Sequence, residues 1–180
     1  MMTTVVAKDG KEIIIRRPTE DDAANIIRYA KALFASTDQL LTTLIEYTIT
    51  VDDEKTWIRN AGQNHNTLIL IAEYNGQVIG LLDFTPKTKR KNCHTGEFGV
   101  SVDLNFQRLG IGRALIGVML QWASANSEIE KVFLNVFDSN HGAIALYKAL
   151  GFTEEGRHIQ AAKQLSGEYV DIIQMYKIVK

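Results

Sequence analysis

The stretch that decides the fold is "QRLGIGRALIG", Gln107 to Gly117. It follows a strand pattern and opens a helical one, because apolar residues recur at Ile111, Leu115, Met119 and Trp122. The first amides of a helix have no partner within the helix, and the helix dipole adds partial positive charge there. Glycines let an anion approach that backbone closely. The stretch therefore predicts a backbone site for a phosphate group.

Two common phosphate motifs do not describe this site. The P-loop requires G-x-x-x-x-G-K-[ST], which occurs nowhere in the sequence. The dinucleotide-binding fingerprint requires a third glycine where Leu115 stands, and it opens the first βαβ unit of its domain. Two glycines flanked by Arg108 and Arg113 are also compatible with an ordinary loop and helix cap. The ligand must therefore be identified from the rest of the chain.

Strand and helix patterns follow one another on both sides of this stretch. In chain order they predict a strand in "EIIIRRP" (Glu12–Pro18), a helix capped by Thr19, one or two helical pieces between residues 38 and 63, a hairpin around Asn75-Gly76, a strand in "HTGEFGVSV" (His94–Val102), a helix to about Asn126, a strand in "KVFLNVFD", a helix ending at Gly151, and two strands around "LSGE". This order predicts an α/β fold with a mixed sheet, in one domain over residues 1–180.

The composition is that of an ordinary globular protein and argues against several classes. The 20 basic and 21 acidic residues give a net charge of −1, so no overall field favours nucleic acid or an anionic membrane. The single Cys93 excludes an internal disulfide and a cysteine-based zinc cluster. The four histidines lack metal-ligand spacing, so we expect no metal. Since no signal peptide or membrane span is evident, we expect a cytoplasmic protein.

The pattern Q-R-L-G-I-G, Gln107 to Gly112, resembles the Q/R-x-x-G-x-G/A acyl-CoA signature of the GCN5-related N-acetyltransferase (GNAT) family. A second region, "LNVFDSNHGAIALYKALGF", matches the family's later strand and helix, with Asn140, Tyr147 and Gly151-Phe152 in place. The order of elements is also similar over residues 12–178. The resemblance implies a mixed, mostly antiparallel sheet of six to seven strands, with helices on both faces and its central strands splayed apart.

The resemblance also implies acetyl-CoA as the acetyl donor, held in the gap between the splayed strands. The residues implied in its binding are Val100 and Val102 beside the pantetheine arm, Gln107, Arg108, Leu109, Gly110, Ile111, Gly112 and Arg113 at the pyrophosphate, and Asn140, Ala143 and Tyr147 near the pantetheine and thioester.

Acetyl transfer to an amine requires one group that removes a proton from the amine and another that protonates the departing thiolate. Tyr147 is our candidate acid, because a phenol is protonated at neutral pH; a packing role for its ring is the alternative. Glu97 is our candidate base, since strand alternation places it with Gly99 and Ser101, away from the apolar face. Glu97 could instead bind the ammonium group or be structural, with water as the base.

These features predict an acetyl-CoA-dependent N-acetyltransferase acting on a primary amine, either a small molecule or a protein N-terminus. The alternative is a non-catalytic acyl-CoA-binding regulatory module on the same fold. RNA binding through the basic Lys87–Lys91 run is disfavoured, because no aromatic residues are interleaved with it. Glu46 and Tyr47 are expected contacts of the acceptor amine, and exposed strands at the end of the chain could join two copies in a homodimer.

Overall fold

A computed structural model describes residues 2–180 and places every strand in one sheet. The strands are β1 (Met2–Val6), β2 (Glu12–Arg16), β3 (Leu68–Tyr74), β4 (Gln77–Pro86), β5 (Thr95–Val102), β6 (Lys131–Phe137), β7 (Thr153–Lys163) and β8 (Tyr169–Ile178). The helices are α1 (Ala23–Ser36), α2 (Val51–Gln63), α3 (Ile111–Ala125) and α4 (His141–Ala149). The strand order is β1-β2-β3-β4-β5-β6-β8-β7.

The predicted α/β fold with a mixed, mostly antiparallel sheet is confirmed. Among the strands of residues 2–180, only β5 and β6 pair in parallel, and every other neighbouring pair is antiparallel. The described strands number eight rather than six to seven. The strand that sequence analysis missed is β1, which pairs with β2 through a tight turn where Gly10 adopts φ 85°. Asp9-Gly10 is a common hairpin turn sequence, so a local signal for this strand was present.

Helices cover both faces of the sheet, as predicted. On one face α3 and α4 pack over the larger apolar core, in which Phe84, Leu115, Met119 and Phe152 are almost completely buried. On the other face α1 and α2 enclose a smaller core that includes Ile71 of β3. The alternation of side chains along β3 and β4 therefore divides the residues of these two strands between the two cores.

The central strands separate, and this positions the cavity discussed below. The parallel pairing of β5 with β6 covers three residue pairs, from Thr95 with Lys131 to Glu97 with Phe133. Beyond Glu97, β5 stays paired with β4 as far as Val102, while β6 stays paired with β8. One backbone edge of β5 and one of β6 thus face a gap, which is the predicted splay.

The segment between α1 and β3 contains one helix, in agreement with the predicted one or two helical pieces between residues 38 and 63. Helix α2 begins at Val51, where Thr50 caps it and forms a capping box with Asp53. Residues 37–50 form turns and irregular backbone instead of a further helix. Among residues 2–180, no helix is both long enough and apolar enough to cross a lipid bilayer.

Candidate functional site

The start of α3 presents a set of free backbone amides. Gly110 caps the helix with φ 93°, a left-handed conformation that glycine adopts without steric cost. The first helical hydrogen bond runs from the amide of Ala114 to the carbonyl of Gly110. Among residues 2–180, the amides of Ile111, Gly112 and Arg113 have no hydrogen-bond acceptor. This is the arrangement that an anion at a helix N-terminus requires.

The loop before α3 is held in place by bonds to its neighbours. The amide of Lys8 donates to the carbonyl of Leu109 at 3.1 Å, and the side-chain amide of Gln107 donates to the carbonyl of Val102 at 3.2 Å. Arg108 has φ 62°, which is uncommon for a residue with a side chain. These two hydrogen bonds hold the loop against Lys8 and the end of β5, and neither involves the amides at the start of α3.

A cavity of about 170 Å³ opens where β5 and β6 diverge. It is lined by Val100, Asn140, Ala143 and Tyr147 among the predicted site residues. Val102 and Glu97 of β5 are not in its lining, and the predicted pyrophosphate residues, 107–113, lie outside it in the loop before α3 and at the start of α3. The cavity lining also includes residues that sequence analysis did not select, namely Gln39, Leu40, Leu41, Asn135 and Ile172. Their convergence depends on the path of residues 37–50 across the sheet, for which the sequence carries no local signal.

Tyr147 lies at the wall of this cavity with its ring packed and its hydroxyl unpaired. The side chain is 7% exposed, and the ring contacts Phe98 and Phe152 in edge-to-face geometry or close to it, with centroids 6.2 and 6.0 Å away. Within residues 2–180 no group accepts a hydrogen bond from the hydroxyl, and no buried polar atom is left without a partner, so the hydroxyl must reach the open space of the cavity. Burial raises the pKa of the Tyr147 hydroxyl to about 12.

Asn140 has a local structural function in addition to its position at the cavity. It is the N-cap of α4, and its side-chain oxygen accepts the amide of Ala143 at 3.2 Å. The side-chain NH₂ of Asn140 makes no bond to residues 2–180 and is free to donate to a ligand in the cavity.

Glu97 extends from β5 on the opposite face, toward the side covered by α1. Its carboxylate accepts from the side-chain amide of Asn135 at 2.7 Å and from the ammonium of Lys87 at 3.3 Å. The side chain is 39% exposed, and the neighbouring Gly99 is also exposed. The basic Lys87 thus contacts the candidate base directly, and its ammonium also lies 4.9 Å from the ring centroid of Phe133.

Asp83 is a second carboxylate on this face, and sequence analysis did not select it. It lies on β4 opposite Gly99 of β5, and burial together with the nearby Glu97 raises the pKa of its carboxyl to about 6. The pattern "LLDF" carries a signal, because a charged residue interrupts an apolar strand there. Its neighbours became evident only from the pairing of β4 with β5.

The predicted acceptor contacts lie in the irregular segment after α1. Glu46 accepts hydrogen bonds from Thr43 within its own turn, and Tyr47 packs on Phe34 with ring centroids 5.0 Å apart. Neither residue lines the cavity, so their contact with an acceptor stays a prediction.

Cys93 is exposed in the loop between β4 and β5, and its thiol lies 3.4 Å from the carbonyl of Arg90.

A larger and more open hollow, of about 610 Å³, lies at the distant edge of the sheet between the β1–β2 and β3–β4 turns. None of the predicted site residues lines it. The described residues contain no group of three or more His, Cys, Asp or Glu side chains placed to hold a metal ion.

Comparisons with known proteins match this geometry to one family. The model of the acetyltransferase (GNAT) family matches residues 35–152, which is more than half of the chain. The L-amino acid N-acetyltransferase AaaT of Escherichia coli is 31% identical over 109 residues, or 61% of this chain and 67% of that protein.

Solved structures agree on the fold. A GNAT-family acetyltransferase from Streptococcus pneumoniae superposes with a TM-score of 0.89 at 22% identity, covering 93% of this chain and 99% of that one. The Salmonella typhimurium protein yncA, solved with its cofactor acetyl-CoA, superposes with a TM-score of 0.82 at 22% identity, covering 93% and 94%. The chain therefore belongs to the GNAT family and is an N-acetyltransferase.

Proposed function

We propose that this protein transfers the acetyl group of acetyl-CoA to a primary amine by direct attack of the amine on the thioester. The observation that carries the proposal is the position of the cavity between β5 and β6. Tyr147 lies at its wall on the α3–α4 side, and Asn135, which bonds to Glu97, lies at its wall on the β6 side. A donor and an acceptor could therefore meet in one gap from opposite faces of the sheet.

The residues present fit acetyl-CoA. The three free amides at the start of α3 suit a pyrophosphate, and Arg108 and Arg113 are exposed beside them. The edge of β5 from Val100 to Val102 is not paired with β6, and although the Val102 carbonyl accepts from Gln107, the edge offers backbone groups to the amides of a pantetheine arm. When bound, acetyl-CoA supplies the acetyl group as an activated thioester. In this proposal Asn140 and Ala143 lie beside its pantetheine end.

The attacking nitrogen loses two protons in all and the leaving sulfur gains one. The chain offers a group for the first loss and a group for the gain, and the second proton of the nitrogen passes to water after the nitrogen has bonded to carbon. An alkyl ammonium must lose a proton before its nitrogen can attack, because its pKa is about 10. In our proposal Glu97 takes that proton, directly or through one water. The new bond joins the nitrogen to the carbonyl carbon, while the carbon–sulfur bond breaks. Tyr147 then donates its hydroxyl proton to the leaving sulfur, since its high pKa keeps it protonated.

The test is acetyl-CoA turnover, followed as released thiol, over a panel of amino acids, polyamines, aminoglycosides and peptides with free N-termini. We expect steady release of CoA that depends on one class of primary amine, and the acetylated amine detected by mass spectrometry. Tight acetyl-CoA binding by calorimetry without turnover of any amine would favour the non-catalytic acyl-CoA-binding module instead.

Three further expectations complete the proposal. We propose that residues 1–180 act as one acetyltransferase domain, which the single sheet supports. We propose a homodimer through the β7–β8 edge, where Ile159, Leu165 and Tyr169 are 69%, 93% and 54% exposed; light scattering would test it. The cytoplasmic location expected from the sequence stays a prediction, to be tested by fractionation.

A further inference from the structure

Asp83 lies directly opposite Gly99, a cavity-lining residue without a side chain. The register pairs Asp83 with Gly99 and Thr85 with Glu97, so Asp83 and Glu97 are diagonal neighbours on one face of the sheet. Gly99 is exposed and lines the cavity. A Cβ atom at position 99 would lie 3.2 Å from Oδ1 of Asp83. Asp83 itself is not among the residues that line the cavity, and only Gly99, which has no side chain, lies between its Oδ1 and the lining.

The two carboxylates differ in their partners. Both oxygens of Glu97 already accept a hydrogen bond, one from Asn135 and one from Lys87. Asp83 has no ion-pair partner and accepts no hydrogen bond from another residue's side chain within residues 2–180. A half-buried carboxylate without a cation is costly, so a persistent one indicates a partner from outside the chain.

We propose that Asp83 binds the ammonium group of the acceptor, and that this acceptor carries one ammonium group on an apolar body. The inference rests on the proposed function, because it concerns the acceptor of that same reaction. Asp83 and Glu97 contribute two negative charges and Lys87 one positive charge, which leaves one negative charge for a single ammonium.

The segment beside the cavity suits an apolar body. Leu41 lines the cavity and is 64% exposed, and Leu44 and Ile45 are 43% and 90% exposed. Three large apolar side chains exposed so close together are unusual for a solvated turn. An acceptor whose ammonium lies at Asp83 would cover part of this surface with its body.

In this proposal the two carboxylates have different functions. Asp83 binds the cation, and Glu97, held by Lys87 and Asn135, receives the proton. Because the pKa of Asp83 is raised to about 6, it is ionised at pH 7 and loses its charge below about pH 6, so acceptor binding should weaken there. The titratable groups on the neighbouring elements are Glu97 of β5, Lys87 paired with it, and Tyr29 of α1, whose hydroxyl bonds to Ser101 at 2.9 Å.

The first test compares Asp83→Asn with Glu73→Gln. Glu73 is a half-buried carboxylate on β3 that pairs with Arg16, far from the cavity, so its substitution controls for the loss of one negative charge. With the best amine from the panel, Asp83→Asn should raise KM about 10- to 100-fold, as expected for one charge-assisted contact, with kcat changed less than about 3-fold. Acetyl-CoA affinity should be unchanged, and Glu73→Gln should leave KM within about 2-fold. An unchanged KM in Asp83→Asn would overturn the proposal.

The second test uses the wild-type protein and does not depend on turnover. Benzylamine, a monocation at pH 7, and benzyl alcohol, its neutral counterpart, are titrated into protein labelled with ¹³C-carboxyl aspartate and saturated with CoA. The Asp83 resonance, assigned from its absence in Asp83→Asn, should shift saturably with benzylamine and not with benzyl alcohol. A resonance that moves with neither compound, or equally with both, would refute ammonium binding at Asp83.

These outcomes separate the inference from the proposed function. If the wild-type protein acetylates a primary amine while Asp83→Asn retains its KM, the proposed function stands and the Asp83 assignment fails. If no amine is acetylated at all, the proposed function fails, whatever the carboxyl resonance shows. A preferred acceptor with two or more ammonium groups would contradict the charge argument alone.

Discussion

Tyr147→Phe tests the acid in the proposed reaction with little disturbance of the fold. The substitution keeps the ring that contacts Phe98 and Phe152. It removes a hydroxyl that bonds to no residue in the range 2–180. Since no internal hydrogen bond is lost, the free energy of unfolding should change by less than about 0.5 kcal/mol.

The kinetic effect should be far larger than the effect on stability. A positioned general acid contributes about 10²–10⁴ in rate, which corresponds to roughly 2.7–5.4 kcal/mol of transition-state stabilisation. Because burial raises the pKa of Tyr147 to about 12, the hydroxyl remains an acid throughout the range of an ordinary assay. Ionisation of Tyr147 should therefore cause no loss of wild-type activity below about pH 11.

The assay is release of free thiol at saturating acetyl-CoA, with single-turnover measurements to establish that chemistry limits the rate. Tyr74→Phe is the matched control, because Tyr74 lies on β3 against Phe106 and does not line the cavity. We expect kcat to fall about 10²–10⁴-fold in Tyr147→Phe and to stay within about 2-fold in Tyr74→Phe. If kcat of Tyr147→Phe stays within a few-fold while chemistry is limiting, the tyrosine packs the helix and does not act as the acid.

Substitutions at four more positions test other parts of the site and the packing that supports it. Gly112→Asp should abolish most acetyl-CoA binding, measured by calorimetry, because its negative charge would repel the phosphate groups. The fold should stay intact, because an added Cβ would lie at ordinary contact distances of 3.5 and 3.7 Å from its nearest neighbours. An equal loss of binding in Gly112→Asn would argue against charge repulsion. Glu97→Gln should lower kcat if Glu97 is the base, whereas a higher acceptor KM with intact kcat would mean ammonium binding. Gly96→Ala places a Cβ 2.0 Å from the buried ring of Phe84 and should lower the free energy of unfolding by about 1–3 kcal/mol or more, measured by urea denaturation. Gly117→Ala, a helix position with no atom within 4 Å of the new Cβ, should instead raise it by about 0.5–1 kcal/mol.

Elements set by neighbouring residues were predictable from the sequence. The helix start at Gly110, the hairpin at Asn75-Gly76 and the helix stop at Gly151 were predicted, and each glycine or turn residue has the positive φ that its turn requires. The two motif regions also identified the family before any distance was known. Such features depend on a few consecutive residues, whose backbone preferences act before the chain is compact.

Most of the features that were missed join distant parts of the chain. The exception is the short β1, whose turn into β2 carries a local signal at Asp9-Gly10. Residues 37–50 take an irregular path that the local sequence patterns do not predict. The proximity of Asp83 to Glu97 depends on the β4–β5 register, because a shift of one residue would place the two carboxylates on opposite faces.

The sequence by itself thus determined most of the order of elements, and it predicted a site for a phosphate group at the start of α3 and a candidate acid and base. Only the tertiary structure decided how far β5 and β6 separate, which residues line the cavity between them, and that Glu97 already has two partners while Asp83 has none within residues 2–180. The physical reason is that a hydrogen bond, the burial of a side chain and a raised pKa each depend on at least two groups that lie close together. Here the members of those pairs, such as Asn135 and Glu97, come from segments far apart in the chain.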